Sequence, residues 1–203
     1  MLRYCQSTEE LPIQHALLNG DKETGITTFF IEPKVDTGAV LLQEKIVIND
    51  DDDFGSLSKK VMVKGATLML QTLDKIENGT IQTINQNSDL ASLAPKIRKK
   101  MYKIDWSKPA QKIHNQIRAF SPSPGTFTTL NEKRIKIFKS KVLMGKQSIG
   151  FGKISLLEKN RLAVSCGEGE LEIFEIQLAN KSRMSMAACL QGVQFNLGDT
   201  IGE

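Results

Sequence analysis

Leu11-Pro-Ile-Gln-His-Ala-Leu-Leu-Asn-Gly-Asp-Lys-Glu-Thr-Gly25, followed by Ile26-Thr-Thr-Phe-Phe-Ile31 and then Val35-Asp-Thr-Gly38, is the stretch on which the reading of this chain turns. Pro12 to Leu18 reads as a short helix, opened by proline in its first turn and closed by Asn19-Gly20. Ile26 to Ile31 is rich in β-branched and aromatic residues and reads as a strand. Pro33 and Asp36-Thr-Gly38 then supply turn chemistry before a second strand over Val40–Ile48, so the two strands suit a hairpin at the edge of a larger sheet. Asp36 therefore has two readings: the first residue of a β-turn, which the pattern alone favours, or a carboxylate held at a bend for chemistry.

Working outward, Asp50-Asp-Asp-Asp53 precedes a long helical pattern, where a carboxylate caps free N–H groups and suits the helix dipole. Met62, Ala66, Met69, Leu73 and Ile76 recur at helical steps as one apolar stripe, widened by Leu57, Val61 and Leu68. Ile81 to Tyr102 reads as an extended linker that ends in the basic cluster Lys96, Arg98, Lys99, Lys100. The domain boundary is set there, giving 1–95 and 96–203. A helix over Ser107–Phe120 is stopped by Ser121-Pro-Ser-Pro-Gly125. Five short strands follow, Thr126–Leu130, Arg134–Ser140, Lys153–Leu157, Leu162–Cys166 and Gly169–Gln177, and predict a small closed barrel of the oligonucleotide-binding type.

The 203 residues carry a net charge of +4, which hides a split. Residues 1–95 hold 8 Lys+Arg against 14 Asp+Glu, and residues 96–203 hold 19 against 9. A basic second part points to a polyanion partner, or simply to a well-solvated surface. Tyr102, Trp106 and Phe127 lie near the basic runs and offer either stacking for unpaired bases or structural anchors. His15 and His114 each stand alone on a helix and read as packed or surface residues. The three cysteines, Cys5, Cys166 and Cys189, have no metal-like spacing and fit a reducing compartment. No stretch has the length of a membrane span. A cytoplasmic, monomeric protein without metal or membrane association is expected, with the mitochondrial matrix as the compartment if the source is eukaryotic.

Pro12-Ile-Gln14, Asn19-Gly20-Asp21, Glu23-Thr-Gly-Ile-Thr-Thr28, Asp36-Thr-Gly38 and Leu41-Leu-Gln-Glu44 resemble, in order, the methionyl-tRNA formyltransferase family. Ala94-Pro-Lys-Ile97 is similar to its linker and Ile104-Asp-Trp-Ser107 to the entry of its second domain. Ser123-Pro-Gly-Thr-Phe127 and Lys181-Ser-Arg-Met-Ser185 are similar to the C-terminal domain itself. The resemblance implies an α/β plus β chain: the C-terminal part of a doubly wound formyltransferase domain, then an OB-like barrel that faces tRNA. It implies formyl transfer from 10-formyltetrahydrofolate to the methionine amino group of initiator methionyl-tRNA, with Asp36 as the catalytic aspartate. Candidate tRNA contacts are Lys96, Arg98, Lys99, Lys100, Lys181 and Arg183; folate contacts are unassigned.

Several departures accompany the resemblance. Met1 to Glu10 does not reproduce the family's folate-contacting Ser-Leu-Leu-Pro and Arg-Gly segment, the residue after Gly38 is Ala39 rather than Asp, and Ser123 stands in place of Trp. The family's Asn and His precede the matched region, so an amino-terminally truncated and inactive chain is expected. Two other readings stay open: an RNA-binding remnant without catalysis, and a sister enzyme that formylates a sugar nucleotide.

Overall fold

A computed structural model describes residues 12–33, 37–86, 95–143 and 150–202. They fall into two compact units, Met1–Ala16 with Asp21–Ile97, and Leu17–Gly20 with Arg98–Glu203.

Helix α1 (Pro12–Asn19) divides between the units after Ala16, and in the first unit strand β1 (Glu23–Phe29) pairs antiparallel with β2 (Val40–Val47). The expected hairpin is present, in a register that sets Gly25 opposite Lys45 and Thr27 opposite Gln43. The segment expected to be linker contributes one further link, since Val40 and Ile84 exchange both backbone hydrogen bonds at 2.8 and 2.9 Å. Helix α2 (Phe54–Glu77) then crosses the hairpin. Its start is a reciprocal cap: Ser56 N–H donates to Asp53 Oδ1 at 2.8 Å and Asp53 N–H donates to Ser56 Oγ at 3.1 Å, so two otherwise orphaned donors are satisfied. Asp52, buried beside it, accepts from Asn49 N–H, Ser56 Oγ–H and Lys60 Nζ. The acidic run is thus the helix start that its sequence suggests.

The face that α2 buries differs from the simplest reading of its pattern. Leu57, Leu68 and Thr72 are buried, and the Thr72 and Thr28 hydroxyls share a 2.9 Å hydrogen bond beneath the helix. Met62, Met69, Leu73 and Ile76, which form the most regular apolar row, are exposed. A residue step of about 100° separates the two rows by roughly a quarter turn, so the helix carries two adjacent apolar stripes and uses one.

In the second unit, a 3₁₀ turn (Lys99–Tyr102) and helix α3 (Ala110–Phe120) precede a sheet of β3 (Thr126–Leu130), β4 (Lys133–Leu143), β5 (Ile154–Glu158), β6 (Arg161–Ser165), β7 (Glu170–Gln177) and β8 (Met184–Ser185). The strand order is β3-β4-β7-β6-β5, all neighbours antiparallel, with β8 added to β7. Alternation does the sorting here. Ile135 and Ile137 on β4 and Leu171 and Ile173 on β7 point to one face and meet Ile113 and Ile117 of α3 in a single apolar cluster. A last helix, α4 (Met186–Gly192), is capped by Ser185 Oγ, which accepts from Ala188 N–H at 3.2 Å.

The expected closed barrel is not formed by strand pairing among the described residues, because β3 and β5 are the free ends of the path. The carboxy-terminal segment spans the gap instead. Ile154 N–H donates to Asp199 O and Ile201 N–H to Gly152 O, while Gly202 N–H donates to Thr129 O on β3. Gly202 has φ of +112° and lies against Trp106, where a Cβ would come within 2.8 Å of the indole Cδ1; only glycine allows that approach.

Candidate nucleic-acid interface

The basic segment before α3 owes its shape to ordinary turn chemistry. Met101 N–H donates to Arg98 O at 2.8 Å, and the Gln116 amide on α3 donates to Met101 O at 2.7 Å and Lys103 O at 3.0 Å. That staple fixes the backbone while Arg98, Lys99 and Lys100 remain exposed. Ile104 N–H then donates to Phe127 O, which turns the chain inward, and Trp106 enters the core with Nε1–H donating to Thr128 Oγ1 at 3.0 Å.

Beside this entry lies a pocket of about 520 Å³ whose lining includes Lys100, Lys103, Lys108, Asp105, Phe151 and Gly202. Three ammonium groups stand against one carboxylate. That carboxylate is engaged locally: Asp105 Oδ1 accepts from Ser107 Oγ–H at 2.5 Å and Ser107 N–H at 3.1 Å. The Ser107 hydroxyl above all holds its carboxyl below the ordinary value; burial opposes this, and the Ser107 N–H and then the nearby Lys108 and Lys103 charges add to the lowering. Phe151, 60% exposed between Gly150 and Gly152, adds an apolar ring at the rim. Several cations around a cleft with an exposed aromatic ring suit a phosphodiester and an unpaired base.

The residues singled out in the sequence are distributed unevenly around it. Lys100 lines the pocket; Arg98 and Lys99 adjoin it in the chain. Lys96 is exposed and belongs to the first unit. Lys181 is exposed in the turn before β8, and its carbonyl accepts from Gln177 Nε2 at 2.9 Å. Arg183 pairs with Glu175 and lies 4.4 Å over the Phe138 ring. Neither lines the pocket. Asp36 lies outside the described residues.

Of the two readings of the aromatics, structural anchors fit their positions better than base stacking. Trp106 is 4% exposed and is a core residue. Tyr102 meets Phe120 edge-on at 4.8 Å, and the Arg134 guanidinium covers Phe127 at 3.5 Å. The exposed ring at the pocket is Phe151, which the sequence reading passed over, as it did Lys108; two glycines flanking an aromatic was the available signal. His15 donates to Pro95 O at 2.7 Å and His114 Nδ1 sits 3.0 Å from Ser140 Oγ, each away from the pocket lining. Among the described residues no group of three or more His, Cys, Asp or Glu side chains could hold a metal, and no helix is long and apolar enough to cross a membrane.

Residues 10–73 match the family model described as formyl transferase, and residues 96–194 match the one described as formyl transferase, C-terminal domain. The chain belongs to the formyl transferase family. Over 192 residues it is 38% identical to a methionyl-tRNA formyltransferase of Syntrophomonas wolfei, covering 94% of this chain and 61% of that one. Over 187 residues it is 40% identical to a methionyl-tRNA formyltransferase of Thermodesulfovibrio yellowstonii, covering 92% and 59%. The chain thus spans about three-fifths of the length of these curated relatives. Among solved structures it is similar to an N-formyltransferase from Helicobacter canadensis in complex with folinic acid and dTDP-3-aminofucose, at 26% identity and a TM-score of 0.61, covering 79% of this chain and 58% of that one.

Proposed function

We propose that this chain carries the acceptor-binding and part of the catalytic apparatus of a methionyl-tRNA formyltransferase, which moves a formyl group from 10-formyltetrahydrofolate to the methionine amino group of initiator tRNA. Identity of 38–40% with enzymes of that name, running through both units, carries the reading. In this scheme the amine attacks the formyl carbonyl, the tetrahedral oxyanion forms, and the folate nitrogen departs with a proton. Asp36 orients the proton-transfer group. The second unit, read as an OB-like barrel sealed by the 199–202 segment, presents Lys100, Lys103 and Lys108 to the tRNA backbone, with Lys96, Arg98, Lys99, Lys181 and Arg183 as further contacts. The division at 95/96, a monomeric state and a cytosolic setting belong to the same proposal.

The sugar-nucleotide alternative draws on the likeness to the Helicobacter canadensis enzyme. The charge of the second part opposes it: 19 basic against 9 acidic residues over 96–203 suit an extended polyanion better than one small substrate.

Salt titration of initiator-tRNA binding by the 203-residue chain tests the proposal. Affinity should fall steeply with salt, and each of Lys100→Ala, Lys103→Ala and Lys108→Ala should flatten the log–log slope by roughly one. Formyl transfer should appear when the portion of the Syntrophomonas wolfei enzyme outside the matched region is supplied, and vanish with Asp36→Asn. Salt-independent binding, or transfer to a sugar nucleotide in preference to the charged tRNA, would overturn the assignment.

A further inference from the structure

Phe151 is a large apolar side chain that the core of the second unit does not use. It is 60% exposed and stands outside the cluster around Ile117 and Leu171. Its backbone is nonetheless fixed. Gly150 and Gly152 on either side have φ of +103° and +79°. Gly152 is held by two backbone bonds, its N–H donating to Ser165 O at 2.7 Å and its carbonyl accepting from Ile201 N–H at 2.7 Å. A Cβ at Gly152 would lie 2.8 Å from Ile201 O, so only glycine lets the carboxy-terminal segment come this close. The turn therefore holds the ring at the rim of the cleft that Lys100, Lys103 and Lys108 line. A ring on a pinned turn has less freedom left to lose when a ligand stacks on it.

The cleft's charge indicates what that ligand is. Its ionisable lining consists of the three lysines and Asp105, a net of +2 from three cations and one carboxylate. The carboxylate is itself occupied by the Ser107 hydroxyl and N–H. One nucleotide within a strand has a phosphodiester on each side of its base, two negative charges for one π-face, which matches the lining in count and in kind. A paired stem matches it less well. Its phosphates meet the lysines, but its base faces are covered by their neighbours in the stack and leave the ring in water. We propose that the cleft is a single-nucleotide subsite for RNA, in which one unpaired base stacks on Phe151 while its two flanking phosphodiesters lie against Lys100, Lys103 and Lys108. Such a subsite rests on the tRNA reading and narrows it, from a basic surface that follows a backbone to a site that selects an unstacked nucleotide. The lysines supply affinity that salt screens; the ring supplies a contribution that salt leaves largely alone.

Two RNAs test this: a single-stranded oligouridine with one central 2-aminopurine, and the same strand annealed to its complement. At physiological salt the 203-residue chain should bind the single strand about tenfold more tightly than the duplex, and the 2-aminopurine emission should fall as the base stacks. Phe151→Ala should lower single-strand affinity about five- to a hundredfold and abolish that quenching, yet leave the slope of affinity against salt unchanged, because no charge is removed. Phe151→Tyr should keep both the affinity and the quenching. Lys108→Ala should do the converse of the alanine variant at Phe151, flattening the slope by roughly one while the quenching at saturation persists. Phe151 is exposed, so its truncation should leave the melting curve in place, and the tyrosine variant reads the ring's role independently of folding. Equal affinity for strand and duplex, or a Phe151→Ala variant that binds and quenches like the parent, would overturn the subsite. Initiator tRNA separates this from the acceptor assignment. Steeply salt-dependent tRNA binding that is indifferent to Phe151→Ala sinks the subsite only, and base stacking on Phe151 without salt-dependent tRNA binding sinks the acceptor assignment only.

Discussion

The two units solve the burial problem to very different degrees. Among the described residues, of thirty buried apolar side chains twenty-three lie in the second unit and seven in the first, and of thirteen exposed large ones ten lie in the first. Both have helices with a clear apolar pattern, so local sequence preference does not separate them. What separates them is how many elements share each core. In the second unit α3, α4 and six strands converge on one cluster that includes Ile117, Ile137, Leu171 and Ile173. In the first, α2 spans 24 residues over a two-stranded sheet and has surface to spare. An apolar stripe is a statement about a helix; burial is a statement about its neighbours.

The largest expected effect is in hydrogen exchange. Amides in β4, β6 and β7 should exchange at least a hundredfold more slowly than those of β1, β2 and α2 in the isolated chain, because the central strands open only with their whole core. Equal protection would dissolve the contrast. Thiol labelling sharpens it. Burial, with a lesser push from the Glu170 charge, raises the Cys166 thiol to about 12, so native Cys166 should resist alkylation at pH 8 and react only once the second unit unfolds. Fast labelling under native conditions would show that this core is not closed.

Substitutions come next in size. Ile173→Ala removes a fully enclosed side chain and should cost about 2–5 kcal/mol, lowering the melting temperature of the second unit by roughly 4–8 °C for each kcal/mol. Leu73→Ala on the outer stripe of α2 should change stability by no more than about 0.5 kcal/mol. A comparable loss at both positions, read by thermal denaturation, would mean that the outer stripe is already covered in the chain alone.

Particular residues show how much of this was legible. The hairpin, α3 and five strands of the second unit follow from period and punctuation: Ile113, Ile117 and Phe120 recur on one face, and Gly and Asn residues mark the turns. α4 has only seven residues, too few for its period to stand out, and β8 has two. Which stripe of α2 goes inward was illegible in principle, since both satisfy the same period. The hydrogen bond from Gly202 to Thr129 joins residues 73 positions apart, and no local pattern carries that. At the candidate site, Lys100 was visible as part of a basic run. Lys103, Lys108 and Phe151 come together through folding, and Trp106 proved to be structure rather than binding surface.

Trp106→Phe probes that last point with a smaller effect. It keeps most of the apolar volume but strips Thr128 Oγ1, fully buried, of the indole N–H donor. A loss of about 1–3 kcal/mol is expected from an unsatisfied buried hydroxyl, with tRNA affinity unchanged. A change in affinity without one in stability would return the indole to the binding surface.

The smallest expected effect lies at the start of α2, where the first unit is held by polar contacts rather than by a shared core. Asp53→Ala deletes the acceptor for Ser56 N–H and should cost about 1 kcal/mol, read as earlier melting of the helix by circular dichroism. The neighbouring carboxylate gives this unit an acid limit. Burial pushes Asp52 upward, but donation from Lys60 Nζ, Asn49 N–H and Ser56 Oγ–H outweighs it and holds the group below its ordinary value. A group depressed in the folded state stabilises fully above its unfolded value of about 3.9 and loses that contribution as pH falls through the lower folded value. The helix should therefore loosen below about pH 4, and Asp52→Asn should remove part of that dependence while lowering stability at neutral pH. An acid response identical in Asp52→Asn and the parent chain would place the sensitivity elsewhere, and leave the cap, not the buried carboxylate, as what anchors α2.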